Sequence, residues 1–184
     1  MSEATRLSAG DWARAALKAI AEGGLAAVAV EPLARTLSVT KGSFYAHYRN
    51  RDELIAAALA EWARHAERGL AEFAAIADPA QRLRDLLTAV VHTVRPLAPS
   101  VHLSLLGDRN DPRVRDAVRQ VNRARLDMLA RTYRELGLPP DRAASRAQVA
   151  YAAILGLSHL AQTDEDTPQP AVLADEAASI FLPS

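Results

Sequence analysis

The chain has 184 residues, of which 49% are hydrophobic and 24% charged, a composition typical of a globular protein with one ordinary domain or two small ones. Its 22 basic and 22 acidic residues balance, which speaks against a general polyanion-binding protein. The chain contains no cysteine, which excludes disulfide scaffolds, thiolate nucleophiles and cysteine-ligated metal sites.

Capping and breaking residues predict three helices in the N-terminal part of the chain. Ser8, with Asp11 three positions later, has the pattern of a capping box that starts the first helix. Gly23-Gly24 ends that helix, because glycine tolerates the left-handed conformation past a helix end. Pro32 lies in the first turn of a second, short helix, where its missing N–H costs nothing. Thr40 is placed to N-cap a third helix.

The rest of the chain has the pattern of further helices. Asn50, with Glu53 three positions later, predicts the start of a long fourth helix. No segment alternates polar and apolar residues as a strand does, and no internal repeat occurs. The apolar segment 147–161 contains Gln148 and His159, which favours a buried helix over a membrane span. The expected location is the cytoplasm. The later predicted helices span about 79–95, 100–106, 112–136, 141–161 and 170–182.

A cationic window surrounds the third predicted helix. From residue 32 to residue 51 the chain has four basic residues and no Asp or Glu. Phe44 and Tyr48 are four positions apart and share a helix face that can pack inward. Two short helices joined by a tight turn, with a cationic second helix, predict a helix-turn-helix. The outward side chains, each able to donate to a phosphate or a base edge, would be those of Lys41, Ser43, Tyr45 and His47.

Residues 30–54, VEPLARTLSVTKGSFYAHYRNRDEL, resemble the helix-turn-helix of the TetR family of bacterial transcriptional repressors. The resemblance covers residues 8–60. It implies an all-α fold with two parts: an N-terminal three-helix helix-turn-helix DNA-binding domain at 1–50, with its motif at about 29–48, and a C-terminal helical ligand-binding and dimerisation domain at 51–184. The residues that fit the family hallmark are Phe44, Tyr45, His47, Tyr48, Arg49, Asn50 and Arg51.

The resemblance also implies roles in DNA binding for individual residues. It places Lys41, Gly42 and Ser43 near bases in the major groove. One departure from the family occurs at Val30-Glu31-Pro32, where family members often have a threonine that contacts phosphate, whereas Glu31 would repel one. The residues that the resemblance assigns to phosphates are Thr40, Tyr45, His47 and Arg51.

The C-terminal part is implied to dimerise and to bind a small ligand. The helices at 141–161 and 170–182 would form the homodimer interface, and the 147–160 segment is apolar on too many sides for an ordinary surface helix. The alternative is that it is the central helix of a monomer. Candidate ligand-binding residues, any of which can instead belong to the core, are Trp62, Leu87, Val91, His92, His102, Leu105, Met128 and Tyr133.

The function that the resemblance implies is a ligand-responsive DNA-binding transcriptional regulator, a repressor released from its double-stranded operator by a small, largely apolar effector. No cofactor, metal ion or membrane is expected as a partner, and no enzymatic activity, because glycine-rich phosphate loops, nucleophile motifs and metal-ligand spacings are missing from the sequence. The alternatives are a regulator that responds to a protein partner and an all-helical enzyme that uses the carboxylates of residues 107–113.

Overall fold

The computed structural model describes residues 7–93, 99–162, 168 and 170–183, with the side chains of 90–93 and 170 excepted. The described residues contain helices, turns and no strand, which confirms the predicted all-α fold. The helices are α1 (Ala9–Gly23), α2 (Val30–Thr36), α3 (Lys41–Tyr45), α4 (Arg51–Ala74), α5 (Pro79–Thr93), α6 (Val101–Ser104), α7 (Pro112–Glu135), α8 (Pro140–Leu160) and α9 (Pro170–Phe181), with a 3-10 turn at Leu25–Ala27.

Two predicted helix starts are built from side-chain caps. The Ser8 hydroxyl accepts from the N–H of Asp11, and the Asp11 carboxylate accepts from the N–H of Ser8 at 2.7 Å. The hydroxyl of Ser8 also donates to this carboxylate, and these bonds lower the pKa of Asp11 to about 2. The Asn50 side chain accepts from the N–H of Glu53 at 2.9 Å. Both caps satisfy donors that the first turn of a helix leaves open.

The described residues divide into two compact units. Unit 1 comprises Met1–His65 and Pro99–Arg119, and unit 2 comprises Ala66–Ala98 and Gln120–Ser184. Helices α4 and α7 therefore contribute residues to both units. The predicted division into functional domains at residue 50 stays a prediction.

Unit 1 is built on an apolar core that holds the first three helices. Trp12 and Ile20 of α1, Phe44 of α3, and Leu54 and Ile55 of α4 are fully buried. Burying side chains of this size stabilises the fold by about 1.5–3 kcal/mol each. The short helices α2 and α3 would be marginal alone and depend on this packing.

Residues 99–119, which follow α5, belong to unit 1, and they hydrogen-bond to the end of α1. The Asp108 carboxylate accepts from the N–H of Leu25 at 2.7 Å, and the Ser104 hydroxyl donates to the carbonyl of Ala21 at 2.6 Å. Gly24 has a φ of 65°, and a Cβ there would lie 2.7 Å from the Asp108 carboxylate. Gly24 therefore ends α1 and also makes room for this contact.

The carboxylates around residue 110 have structural partners. Arg113 donates to Asp111 at 2.7 Å and to Asp52 at 2.9 Å, so it joins the start of α7 to the start of α4 within unit 1. The hydrogen bonds from Arg113 hold the pKa of Asp111 at about 2. These ion pairs and the Asp108 contact account for the carboxylates that the enzyme alternative would use.

Unit 2 has a second core, formed by α5, α7, α8 and α9. Arg82 is buried beside it and donates twice to the carbonyl of Ile76, at 2.9 and 2.7 Å, and once to Glu135. Across the described ranges, no helix is both long and apolar enough to cross a membrane. The core residues are Leu83, Leu87, Leu129, Tyr133, Ala143, Ala147, Ala150, Tyr151, Ala177 and Phe181.

Helices α8 and α9 also carry large apolar side chains that the described protomer leaves exposed. Val149 is 60% exposed and Leu160 59% on α8, while Val172 is 55% exposed and Ile180 61% on α9. A central helix of a monomer would be enclosed on all sides. This exposure is consistent with the predicted homodimer interface, which stays a prediction, as does the monomer alternative.

Candidate nucleic-acid interface

Helices α2 and α3 are joined by a turn that contains a strained residue. Ser38 has a φ of 56°, in the left-handed region that favours glycine and costs other residues about 1–2 kcal/mol. The N–H of Ser38 donates to the carbonyl of Arg35 at 3.0 Å, and the N–H of Val39 donates to the carbonyl of Ala34 at 2.9 Å. These bonds stabilise the sharp change of direction between the two helices.

An aromatic cluster anchors α3 to α1. Phe44 is 0% exposed, and its ring meets the ring of Trp12 edge to face at 5.4 Å. The ring of Tyr48 stacks on Phe44 at 5.9 Å, and its hydroxyl donates to the carbonyl of Ala9 at 2.7 Å. Phe44 is thus a core residue as predicted, while Tyr48 is half-buried and acts as a tether. Helix α3 ends at Tyr45, earlier than expected, and a turn places Tyr48 for this bond.

The opposite side of α3 faces outward. Tyr45 is 59% exposed, an unusual position for an aromatic side chain that could pack. Thr40 occupies the N-cap position, but its hydroxyl makes no capping bond and is left for another acceptor or donor. The residues predicted to contact DNA that lie exposed here are Thr40, Lys41, Gly42 and Tyr45, while Ser43 and His47 are half-buried.

Gly42 has no packing reason to be glycine. A Cβ at this position would meet only the hydroxyl oxygen of Thr40, at 3.6 Å, which is ordinary van der Waals contact. Its φ is not positive, so a side chain would not strain the backbone. The absence of a side chain instead leaves the backbone of α3 open to close approach from outside.

An ion pair links Lys41 to α2. The sequence did not predict this pair, because its acidic partner, Glu31, lies just outside the cationic window. The ammonium Nζ of Lys41 lies 2.9 Å from the Oε1 of Glu31, and both side chains are more than half exposed. This hydrogen bond raises the pKa of Lys41 and lowers the pKa of Glu31. Because both groups are in solvent, the pair contributes little to stability. The pair nevertheless neutralises the positive charge of Lys41, the first residue of α3.

Arg51, predicted to hold a phosphate, also braces unit 1. Its Nε donates to the carbonyl of Val28 at 2.7 Å, and its Nη2 donates to the carbonyl of Leu25. Both carbonyls lie between α1 and α2, so Arg51 ties the start of α4 to that connection. Its Nη1 makes no hydrogen bond to the described residues. A phosphate contact through Nη1 stays a prediction.

The predicted ligand-binding residues of unit 1 are three buried side chains. The rings of Trp62 and His102 meet edge to face at 5.9 Å. Trp62 is 6% exposed, His102 7% and Leu105 1%. The structure brings the two rings together as a buried pair, and their role towards a ligand stays a prediction.

The predicted ligand-binding residues of unit 2 include members of its core. Leu87, Met128 and Tyr133 are buried, and Leu87 and Tyr133 belong to the core cluster. The Tyr133 hydroxyl has no hydrogen-bond partner among the described residues, and burial raises its pKa to about 12. The other two predicted residues, Val91 and His92, have side chains outside the described part of the chain.

Metal binding has no candidate in the described ranges. No group of three or more His, Asp or Glu side chains comes close enough there to hold a metal ion. The histidines predicted as possible lining residues therefore share no such cluster within the described side chains.

Comparisons with known proteins relate this arrangement to bacterial regulators. Residues 13–58, which contain α2 and α3, match the family model of bacterial regulatory proteins, tetR family. No curated protein sequence matches the chain. The fold of nearly the whole chain is similar to that of several solved structures at identities below 25%.

Three of these structures illustrate the similarity. A TetR-family transcriptional regulator from Agrobacterium tumefaciens has a TM-score of 0.77 and 18% identity, with 94% of this chain and 96% of that chain covered. A transcriptional regulator from Rhodococcus sp. Rha1 has a TM-score of 0.73 and 23% identity over 95% and 96%. AibR, solved with isovaleryl coenzyme A and operator DNA, has a TM-score of 0.69 and 17% identity over 94% and 97%.

Proposed function

We propose that this chain, which belongs to the tetR family of bacterial regulatory proteins, is a ligand-responsive repressor that leaves its operator when a small, largely apolar effector binds. The observation that carries the proposal is the outward side of α3, where Lys41, Gly42 and Tyr45 are exposed on a helix anchored through Phe44. A cytoplasmic location, where operator DNA is accessible, forms part of this proposal.

Helix α3 is suited to the major groove for physical reasons. Its five residues place the donors of Lys41 and Tyr45 on one side, and the missing side chain of Gly42 lets the backbone approach base edges. Lys41, Gly42 and Ser43 would then meet bases. Phosphate oxygens would be held by the side chains of Thr40, Tyr45, His47 and Arg51.

Removing an outward donor of α3 is expected to weaken operator binding. Lys41→Ala and Tyr45→Ala should each lower the affinity for the DNA upstream of the protein's own gene by about tenfold, because each removes a contact to DNA. The salt dependence of binding should become shallower for Lys41→Ala by less than about one unit of slope, because Glu31 already balances part of this charge. Fluorescence anisotropy at several salt concentrations measures both quantities.

The chain offers a matched control for this experiment. Lys18 is the only other lysine, and it is exposed on α1. Lys18→Ala removes the same charge and should leave the affinity within about twofold of wild type. Equal binding by Lys41→Ala, Tyr45→Ala and wild type would show that α3 does not contact the operator.

The ion pair between Glu31 and Lys41 leads to the opposite expectation. Glu31→Gln releases Lys41 and removes a negative charge beside the proposed phosphate contacts, so DNA affinity should rise by about twofold to fivefold. The same anisotropy titration tests this, with Glu72→Gln as the control because Glu72 is exposed on α4 in unit 2. Weaker binding by Glu31→Gln would indicate that this carboxylate contacts the operator itself.

The proposed operator complex is a dimer of this chain. The exposed apolar side chains of α8 and α9 support this part of the proposal, since a twofold axis would bury them against their copies. Two copies of α3 would then meet successive major grooves about 34–36 Å apart. A dimer also explains how a short helix with few donors can reach useful affinity.

Release by an effector requires different affinities for two arrangements of the dimer. An effector shifts the equilibrium only if it binds the arrangement that no longer fits the operator more tightly. AibR was solved with both isovaleryl coenzyme A and operator DNA, which supports a small molecule as the effector class over a protein partner. A thermal-shift screen with small molecules tests this choice, and a set of hits that leave operator binding unchanged would oppose it.

A further inference from the structure

Helix α7 has an arginine on its inward side. Residues of α7 at spacings of three and four form a buried stripe, with Val121 one turn before Arg125 and Met128 one turn after it. Arg125 is half-buried within this stripe, whereas Arg123 and Arg131 on other sides of α7 are exposed. A helix that only packed its neighbours would have an apolar residue at this position.

The guanidinium of Arg125 is oriented by two neighbouring polar side chains. Its Nη1 donates to the hydroxyl of Tyr151 on α8 at 3.0 Å, and its central carbon lies 5.8 Å from the centre of the Tyr151 ring. The Tyr151 hydroxyl donates to the Oδ1 of Asn122 at 2.9 Å. Tyr151 is 5% exposed and belongs to the core of unit 2, so this arrangement has a rigid base.

Arg125 differs in its charge balance from Arg82, which is buried, and from Arg113, which is half-buried. Arg82 pairs with Glu135, and Arg113 pairs with Asp52 and Asp111. No carboxylate of the described side chains lies within ion-pair distance of Arg125. Because a charge held partly out of water is costly without a counter-ion, this site favours an anion.

The guanidinium nitrogens of Arg125 without a hydrogen bond indicate which kind of anion fits. Nε and Nη2 make no hydrogen bond to the described residues, while Nη1 is held by Tyr151. These two nitrogens form the side of a guanidinium that binds both oxygens of a carboxylate through parallel hydrogen bonds. Met128 and Leu129, three and four positions further along α7, are apolar and buried, so the guanidinium lies at the edge of an apolar region.

We propose that Arg125, positioned by Tyr151 and Asn122, binds the carboxylate of an effector whose remaining part is apolar. This proposal rests on the proposed function, since it assigns the chemical class of the effector. The effector is then an apolar carboxylic acid in its ionised form, and its uncharged derivatives bind less tightly.

Calorimetry with the full chain in the absence of DNA tests the proposal. The probes are straight-chain carboxylates of four to twelve carbons, benzoate and phenylacetate, each beside its uncharged amide, and octyl phosphate as a second anion. We expect at least one carboxylate to bind at least tenfold more tightly than its amide and than octyl phosphate. Failure of every carboxylate to bind, or tighter binding of the amides or of octyl phosphate, would overturn the proposal.

Substitutions then connect binding to this site. Arg125→Met keeps the volume of the side chain and should weaken the best carboxylate at least tenfold, while Arg123→Met, on an exposed position of α7, should bind it as wild type does. Tyr151→Phe removes the hydroxyl that orients Arg125 and should weaken binding severalfold. It serves as the second variant if Arg125→Met does not fold. Unchanged binding in the folded variants contradicts the proposal.

A DNA titration separates this proposal from the proposed function. Arg125→Met without effector should bind the upstream DNA as tightly as wild type, but the carboxylate should no longer release it. If wild type binds carboxylates at Arg125 and does not bind the DNA, the proposed function fails and the anion site stands. If wild type binds the DNA and no carboxylate binds, the anion site fails and DNA binding by the proposed regulator stands.

Discussion

Phe44→Ala is expected to destabilise the protein by about 3–5 kcal/mol, the range for removing a fully buried phenylalanine ring. Phe44 is 0% exposed and contacts the rings of Trp12, Tyr45 and Tyr48. It is also the buried residue of a helix of only five residues. Its loss therefore leaves a cavity and releases α3 from α1. Urea unfolding followed by circular dichroism measures the change.

The neighbouring residue provides the control for this substitution. Tyr45→Ala removes a ring of similar size, but this ring is 59% exposed and touches Phe44 only at its edge. We expect it to cost about 1 kcal/mol or less. The main loss should therefore differ between the two variants. Phe44→Ala should lose stability, whereas Tyr45→Ala should keep most of its stability and lose operator affinity. Equal losses of stability would mean that α3 is not anchored through Phe44.

Val149→Glu is expected to convert the proposed dimer to monomers. Val149 is 60% exposed on α8, on the side that also carries the small residues Ala152 and Gly156. Burying a carboxylate in this apolar contact has no compensating partner and costs several kcal/mol per protomer. Sedimentation should then show a species of 19.8 kDa in place of one twice as heavy. Operator affinity should fall at least about 100-fold, because the two half-sites are no longer bound together.

The control for the dimer experiment lies on the same helix. Ala144 is exposed on a different side of α8, so Ala144→Glu adds the same charge outside the proposed contact. We expect it to sediment as wild type does. A Val149→Glu protein that keeps the dimer mass would place the interface elsewhere.

Much of the fold could be predicted because its signals are local. The cap of Ser8 with Asp11 and that of Asn50 with Glu53 act between residues three positions apart, and both are present. The spacing of Phe44 and Tyr48 predicted that Phe44 is buried, because residues four positions apart on a helix share one face. The order of the two functional parts, DNA-binding before ligand-binding, comes from the family resemblance alone and stays a prediction.

Some features of the site could not be predicted because their partners are distant in sequence. The Glu31 carboxylate reaches Lys41 across ten residues, and Arg51 reaches the carbonyl of Leu25 across 26. No window of neighbouring residues contains both members of such a pair. Arg125 likewise contacts Tyr151 across 26 residues, and no local pattern in the sequence pairs the two.

The sequence by itself determined that the chain is helical, where its capped helices begin and which short helix carries exposed donors, since these follow from contacts within about four residues. The tertiary structure decided which of those donors have partners within the chain. It showed that Glu31 neutralises Lys41, that Arg51 braces a connection, and that a half-buried Arg125 has no carboxylate partner among the described residues. The physical reason is that charge compensation depends on distance in space, which only the packing of the helices defines.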